Sequence, residues 1–209
     1  MKLKKKIKYV SNKGGKEEKI IFGIQGGKGS FNHEAILEYI KKNKIKNYEI
    51  QHLLTTNKVL DCLSKNHINY GLFAICNSIG GIVDESIEAI AKYTFKIEEK
   101  ITMPIRHFLM KHRQIDWKNV KQILTHPQVI KQCRQTLNEK YSHCEVSSGK
   151  NNLIGHAEVA KRIWQGKLCK NIAVIGPKQL AQLYNLDIVD KDLQDNEKNL
   201  TTFLLVSNS

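Results

Sequence analysis

An α/β fold follows from two properties of this chain. From Lys19 onward short apolar runs alternate with stretches of helical periodicity, and helix-capping residues stand at the joins. Strands are predicted at Ile20–Ile24, Tyr48–Leu53, Leu72–Ile75, Val120–Leu124, Ile172–Ile175 and Phe203–Val206, each short and rich in β-branched or aromatic residues. Between them the spacing predicts helices over Phe31–Lys42, with Ser30 as N-cap, and over Lys58–Lys65, Asp84–Lys92, Val129–Lys140, Ala157–Gln165 and Lys178–Tyr184, the last entered through Pro177. Phe95–Met110 reads as extended chain, and Pro104, with no N–H to give to a ladder, suits a strand edge. Residues 1–18 combine lysines, Gly14-Gly15 and no apolar periodicity, so a basic flexible tail is expected ahead of one folded region, 19–209.

At 209 residues the chain is long enough for one large domain or two small lobes with a sizeable core. It has no apolar run of membrane-spanning length, and Met1-Lys2-Leu3-Lys4-Lys5-Lys6 is not followed by the apolar stretch of a secretory signal. A cytoplasmic protein without a membrane partner is therefore expected. Five cysteines, Cys62, Cys76, Cys133, Cys144 and Cys169, form no Cys-x-x-Cys pair, which predicts reduced thiols and neither a disulfide framework nor a metal site. The formal net charge of +14 would suit a polyanion, yet the only arginines are Arg106, Arg113, Arg134 and Arg162, and the lysines are spread along the chain. Readers of nucleic acid favour arginine for bidentate and stacking contacts, so no nucleic-acid partner is expected; the excess charge would instead draw a small dianion toward a cleft.

Several short segments concentrate residues suited to binding a small molecule. Gly26-Gly27-Lys28-Gly29-Ser30 lies between a predicted strand and helix, where backbone amides and a helix N-terminus can cradle an anion. Neither Gly-x-Gly-x-x-Gly nor Gly-Lys-Ser/Thr is present, so nucleotide-binding loops are excluded, and a plain glycine turn is the competing reading. Asn77-Ser78-Ile79-Gly80-Gly81 ends a predicted buried strand and is equally suited to a turn. Cys76 has no identifiable activating base and reads as an inert thiol. His126-Pro127-Gln128 puts proline in a helix's first turn, with Gln128 serving either a ligand or a cap. His107, in Pro104-Ile105-Arg106-His107, reads as a structural histidine among apolar residues. Asn152-Leu153-Ile154-Gly155-His156-Ala157-Glu158 opens a helix with a backbone N–H at Gly155 and an imidazole at His156. Finally, Asn199-Leu200-Thr201-Thr202-Phe203 enters the last strand, where a pair of threonines by itself needs no function.

In this order, with Tyr70-Gly71-Leu72 and Gln132-Cys133 added, the segments resemble those of the prephenate dehydratase family over most of the chain. The last is similar to the family's Asn-x-Thr-Arg-Phe signature, with Thr202 in place of Arg. Ala74 to Ser78 resembles Pro-Ile-Glu-Asn-Ser/Thr, with Ala74 for Pro and Cys76 for Glu, and Asn152 to Glu158 occupies the place of a Ser-Thr-x-Ala segment without its hydroxyls. The resemblance implies two α/β lobes of periplasmic-binding-protein type II character, about 19–97 plus 190–209 and about 98–189, with the site in the cleft between them. It implies Thr201 as the catalytic hydroxyl with Phe203 packed beside it, Asn77, Ser78 and Gln128 as ligand-orienting groups, and Lys28, Ser30, Gly155 and His156 facing carboxylates. The implied reaction converts prephenate to phenylpyruvate with loss of water and carbon dioxide, in phenylalanine biosynthesis. The implied partner is a small-molecule dicarboxylate substrate, with no cofactor, in a homodimer or larger homo-oligomer. Neither an ACT-type regulatory domain nor a fused chorismate mutase is expected, and hence no phenylalanine feedback through this polypeptide. Two alternatives stand beside a working dehydratase: an altered enzyme such as a non-aromatising decarboxylase of prephenate or a related cyclohexadienyl acid, and a catalytically silent small-molecule-binding module.

Overall fold

The computed structural model describes residues 19–209, so the expected tail at 1–18 lies outside the described residues. In chain order the first half runs β1 (Ile20–Gln25), α1 (Phe31–Lys42), β2 (Tyr48–Leu54), α2 (Thr56–Ser64), β3 (Tyr70–Asn77), β4 (Gly81–Ile82), α3 (Asp84–Ile90) and β5 (Lys96–Pro104). The second half runs β6 (Phe108–His112), β7 (Gln122–Leu124), α4 (Pro127–Gln132), α5 (Arg134–Lys140), β8 (Glu145–Ser147), α6 (His156–Trp164), β9 (Ile172–Gly176), α7 (Gln179–Leu183), β10 (Leu186–Lys191) and β11 (Leu200–Ser207), with single 3-10 turns at Trp117–Asn119 and Asn151–Ile154.

Among the described residues the strands form two sheets, one per lobe. The first has the order β2-β1-β3-β11-β5, with β4 alongside β3, and the second the order β10-β6-β9-β7-β8. β1 is parallel to β2 and β3, whereas β11 is antiparallel to both β3 and β5, so the C-terminal strand is inserted into the sheet built by the first half. The chain leaves the first sheet between Pro104 and Phe108 and returns between Lys191 and Leu200. The first crossing falls later than residue 97 because Lys96–Pro104 stays paired with β11. The two crossings are bonded to each other, Ile105 N donating to Asn199 O at 2.8 Å and Leu193 N to His107 O at 3.1 Å.

Each sheet is sandwiched between helices. Phe22, Ile24, Leu72, Phe203 and Leu205 bury one face of the first sheet against Ala35, Ile36, Tyr39 and Ile40 of α1, while Phe73, Leu204 and Val206 on the other face meet Val59, Leu60 and Leu63 of α2. The opposite faces of the second sheet are covered by α4 with α5 and by α6 with α7. Helix α1 starts where expected because Ser30 Oγ accepts from His33 N. It stops at Asn43, whose side-chain amide takes the Tyr39 carbonyl at 2.9 Å, before Lys44 turns into the left-handed region.

The helix expected over Val129–Lys140 is two helices. Asp195, on the return crossing, donates its backbone N–H to the Gln132 carbonyl and accepts from Gln135 N and Thr136 N with its carboxylate, giving α5 its own N-terminal cap from a distant segment.

Candidate active site

Thr201 stands opposite Asn77 of β3 and Met103 of β5, on the same sheet face as Phe203 and helix α1. Thr201 is 7% exposed and Asn77 5%. The Asn77 side chain is held at both ends. Its Oδ1 accepts from the backbone N–H groups of Ile79 (2.9 Å) and Gly80 (2.7 Å), which fixes the amide's orientation. Its Nδ2 then faces three acceptors: Asn199 Oδ1, Thr201 Oγ1 at 2.9 Å and Leu200 O at 3.1 Å. From this anchor the assignments propagate. Asn199 presents oxygen to Asn77, so its Nδ2 donates to Gln132 Oε1 at 2.8 Å. The same Gln132 oxygen lies 2.7 Å from His107 Nε2, which must be the donor, so the neutral His107 carries its proton on Nε2 and a lone pair on Nδ1. A relay of amides thus links His107 and Gln132 of the second lobe, through the two asparagines, to Thr201. Because Asn77 can only donate here, Thr201 Oγ1 is the acceptor, and its own hydrogen stays free.

The relay redistributes the expected roles. Asn77 is occupied on both atoms of its amide and holds Thr201. The Ser78 hydroxyl is engaged too: Oγ donates to Lys198 O at 3.0 Å and accepts from Leu200 N at 2.9 Å, bracing an exposed loop. Phe203 is core, packed under α1. Ser30 Oγ caps α1, and Lys28 is exposed on the loop whose turn needs positive φ at Gly26 and Gly29. Burial, the neighbouring His52 and the Lys28 ammonium hold His33 down to about 4. Gln128 bridges the lobes, its Nε2 donating to Ile82 O at 2.8 Å and its buried Oε1 left without a donor against Gly80, where a Cβ would lie 2.4 Å from that oxygen.

Gly155 is the N-cap of α6 and carries no capping side chain, so the amides of His156 and Ala157 stay open while Glu158 N turns back to Gly155 O at 3.1 Å. His156, the next residue, is 8% exposed, and neither ring nitrogen has a partner. Burial, with His126 and His107 nearby, depresses it to about 3; burial likewise holds His107 and His126 to about 4, so all three imidazoles are neutral at pH 7. Thr202, in the family's Arg position, faces away from Thr201 and shares a 3.0 Å hydrogen bond with Thr102, while Cys76 is its cross-strand neighbour on β3. Gln132, Asn199 and His107 were not expected as site residues; all three were present in the motif segments, and burial of polar side chains inside such segments is the signal that finds them.

A cavity of about 250 Å³ lies beyond Phe31, lined also by Glu34, Glu38, Met103, Arg106 and Lys178, and Thr201 does not open into it. The lobes meet over the relay, as the contacts of Gln128 with Ile82, Gln132 with Asn199, and Tyr184 Oη with Lys28 O all cross between them. Among the described residues no group of three or more His, Cys, Asp or Glu could hold a metal ion, and no helix is long and apolar enough to cross a membrane.

Comparison with known proteins adds family membership to this geometry. The bifunctional chorismate mutase/prephenate dehydratase of Buchnera aphidicola subsp. Schizaphis graminum is 27% identical over 186 residues, covering 89% of this chain and 46% of that protein. Arogenate dehydratase/prephenate dehydratase 2, chloroplastic, of Arabidopsis thaliana is 26% identical over 140 residues, 67% of this chain and 35% of its own. The chain thus spans half or less of the length of these relatives. The structure of prephenate dehydratase from Arthrobacter aurescens in complex with L-Phe shares the fold with a TM-score of 0.77 at 21% identity, over 91% of this chain and 61% of that one. The sequence model for prephenate dehydratase matches residues 22–209, and the chain belongs to the prephenate dehydratase family.

Proposed function

We propose that the chain is a lyase converting prephenate to phenylpyruvate, carbon dioxide and water. The observation that carries this reading is the Thr201 hydroxyl: Asn77 holds its oxygen as an acceptor, so its hydrogen is available to a leaving group. In the reaction the bond from the ring to its carboxylate breaks, its electron pair completes the aromatic ring, and the C–O bond across the ring releases hydroxide. That hydroxide becomes water with a proton from solvent. A threonine hydroxyl is too weak an acid to give up its proton, so Thr201 stabilises the departing oxygen by a hydrogen bond, a contribution of about 10²-fold or more for one oriented donor. Aromatisation supplies the driving force, and the closed lobes contribute position and exclusion of water. The open amides of α6, His156, Lys28 and Gln128 Oε1 meet the polar groups of the dianion. Substrate enters when the lobes part. In this reading the protein acts on a dicarboxylate in the cytosol, as a homo-oligomer, within phenylalanine biosynthesis.

Incubation of the full chain with prephenate, and in parallel with arogenate, followed by product identification, tests the proposal. Phenylpyruvate from prephenate supports it. A non-aromatic product formed with release of carbon dioxide would identify the altered decarboxylase instead, and ligand binding without any product would identify a silent module.

A further inference from the structure

Three histidines from separate segments lie near one another: His107 in the first crossing, His126 capping α4 and His156 opening α6. Phe31 meets His107 and His156 edge-on, with ring centroids at 5.3 and 5.6 Å. Their hydrogen bonding is unfinished. His107 Nδ1 and both nitrogens of His156 are buried without a partner, although buried polar atoms are nearly always bonded. The relay from Asn77 fixes His107 Nδ1 as a lone pair, and Gln128 N donates to His126 Nδ1, which leaves the His126 proton on Nε2. The neutral cluster therefore offers N–H groups at His126 Nε2 and one nitrogen of His156, against lone pairs at His107 Nδ1 and the other nitrogen of His156. A carboxylate has only acceptor atoms, so it can engage His107 Nδ1 only after that nitrogen gains a proton.

The influences on the three rings are burial, one another, and the Gln132 hydrogen bond. On His156's own helix, Glu158 is engaged by Arg162 at 2.9 Å and by Lys161 at 3.9 Å. On α1, Glu34 lies with Glu38 on the cavity beyond Phe31, as do Arg106 from the crossing and Lys178 ahead of α7.

We propose that the His107–His126–His156 cluster, beside the open first turn of α6, is a carboxylate subsite that takes up its anion together with one proton from solvent. The subsite lies in the cleft assigned to the dehydration and adds to that reading a proton-coupled mode of substrate capture, with His156 supplying an imidazole where the family has a hydroxyl. An anion in the cluster raises the affinity of a ring for its proton, so binding is tightest at low pH and weakens as pH rises through the value of the occupied site. Isothermal titration of the full chain with phenylpyruvate, in phosphate and in Tris at neutral pH, reads the protons exchanged. Uptake of about one proton is expected, with Kd falling by up to about tenfold for each unit drop in pH. His156→Gln keeps a polar side chain that cannot titrate, and is expected to reduce both the uptake and the slope while circular dichroism stays unchanged. If that variant fails to fold, the parent protein's uptake decides alone. Affinity that is flat between about pH 6 and pH 8, release of protons, or absence of phenylpyruvate binding overturns the subsite. Phenylpyruvate formation from prephenate is scored separately: turnover without proton uptake removes the subsite alone, and uptake without turnover removes the dehydratase reading alone.

Discussion

Thr202 and Cys76 face each other across β11 and β3, on the side of the sheet turned away from Thr201. The resembling family pattern has Arg and Glu at these positions, so what read along the chain as two separate losses of charge is one exchanged cross-strand pair. Thr202→Arg alone should then fail to improve catalysis. It breaks the 3.0 Å bond to Thr102, at about 0.5–1.5 kcal/mol, and sets a guanidinium opposite a thiol. Cys76→Glu alone places an unpaired carboxylate in a partly buried position, at about 1–3 kcal/mol. The double variant restores opposite charges at directly facing positions and should regain about 0.2–1 kcal/mol beyond the sum of the singles. Urea unfolding of the four proteins closes the cycle, with prephenate turnover measured on each. A coupling of zero, or a Thr202→Arg variant that alone raises turnover about tenfold, would refute the placement, because the guanidinium would then have reached the Thr201 side.

Thr201→Ala should lower turnover about 10²-fold or more, yet change stability by no more than about 1 kcal/mol, since the two Asn77 Nδ2 hydrogens, shared among three acceptors in the parent, keep Asn199 Oδ1 and Leu200 O as partners; kinetics and a thermal midpoint together check this. Acid should destabilise the fold early. His107 and His126 are held to about 4 and His156 to about 3 against 6.5 in the unfolded chain, so the unfolded state binds more protons below 6.5, and stability drops there by about 1.4 kcal/mol per pH unit for each ring. Thermal midpoints measured across that range should fall with pH, and less steeply in His156→Gln; a flat profile contradicts the neutral cluster. Asp195→Ala, which uncaps α5, should cost about 1–2 kcal/mol in urea unfolding.

The α/β character was legible because β1, β3, β9 and β11 are buried strands and read as apolar runs, and because Ser30 and Pro127 mark helix starts by local chemistry alone. What stayed hidden depends on distant partners. β8 has three residues and β10 mixes acidic with apolar positions, so each becomes a strand only through its neighbour in the sheet. The break at Cys133 is set by Asp195, more than sixty residues on. In the candidate site, sequence identified Thr201, Asn77, Gln128 and His156 as polar residues in motif segments. It did not separate positioning groups from ligand-facing ones, since that depends on which hydrogen-bonding atoms the fold leaves unoccupied: none on Asn77, one on Gln128, two on His156.

The relay draws on both halves of the molecule: Gln132 belongs to one, Asn199 and Asn77 to the other, and the bonded crossings form the pivot between them. If substrate enters by parting of the lobes, as proposed, the Gln132 Oε1 link is the point of the relay that such a movement would load. Asn77 keeps its own anchors at Ile79 N and Gly80 N, so such a movement would release the Asn199 side of the relay first. On the proposed reaction, shutting the door and completing the hydrogen bonds behind the threonine would be one mechanical event, keeping bulk water from a reactive guest.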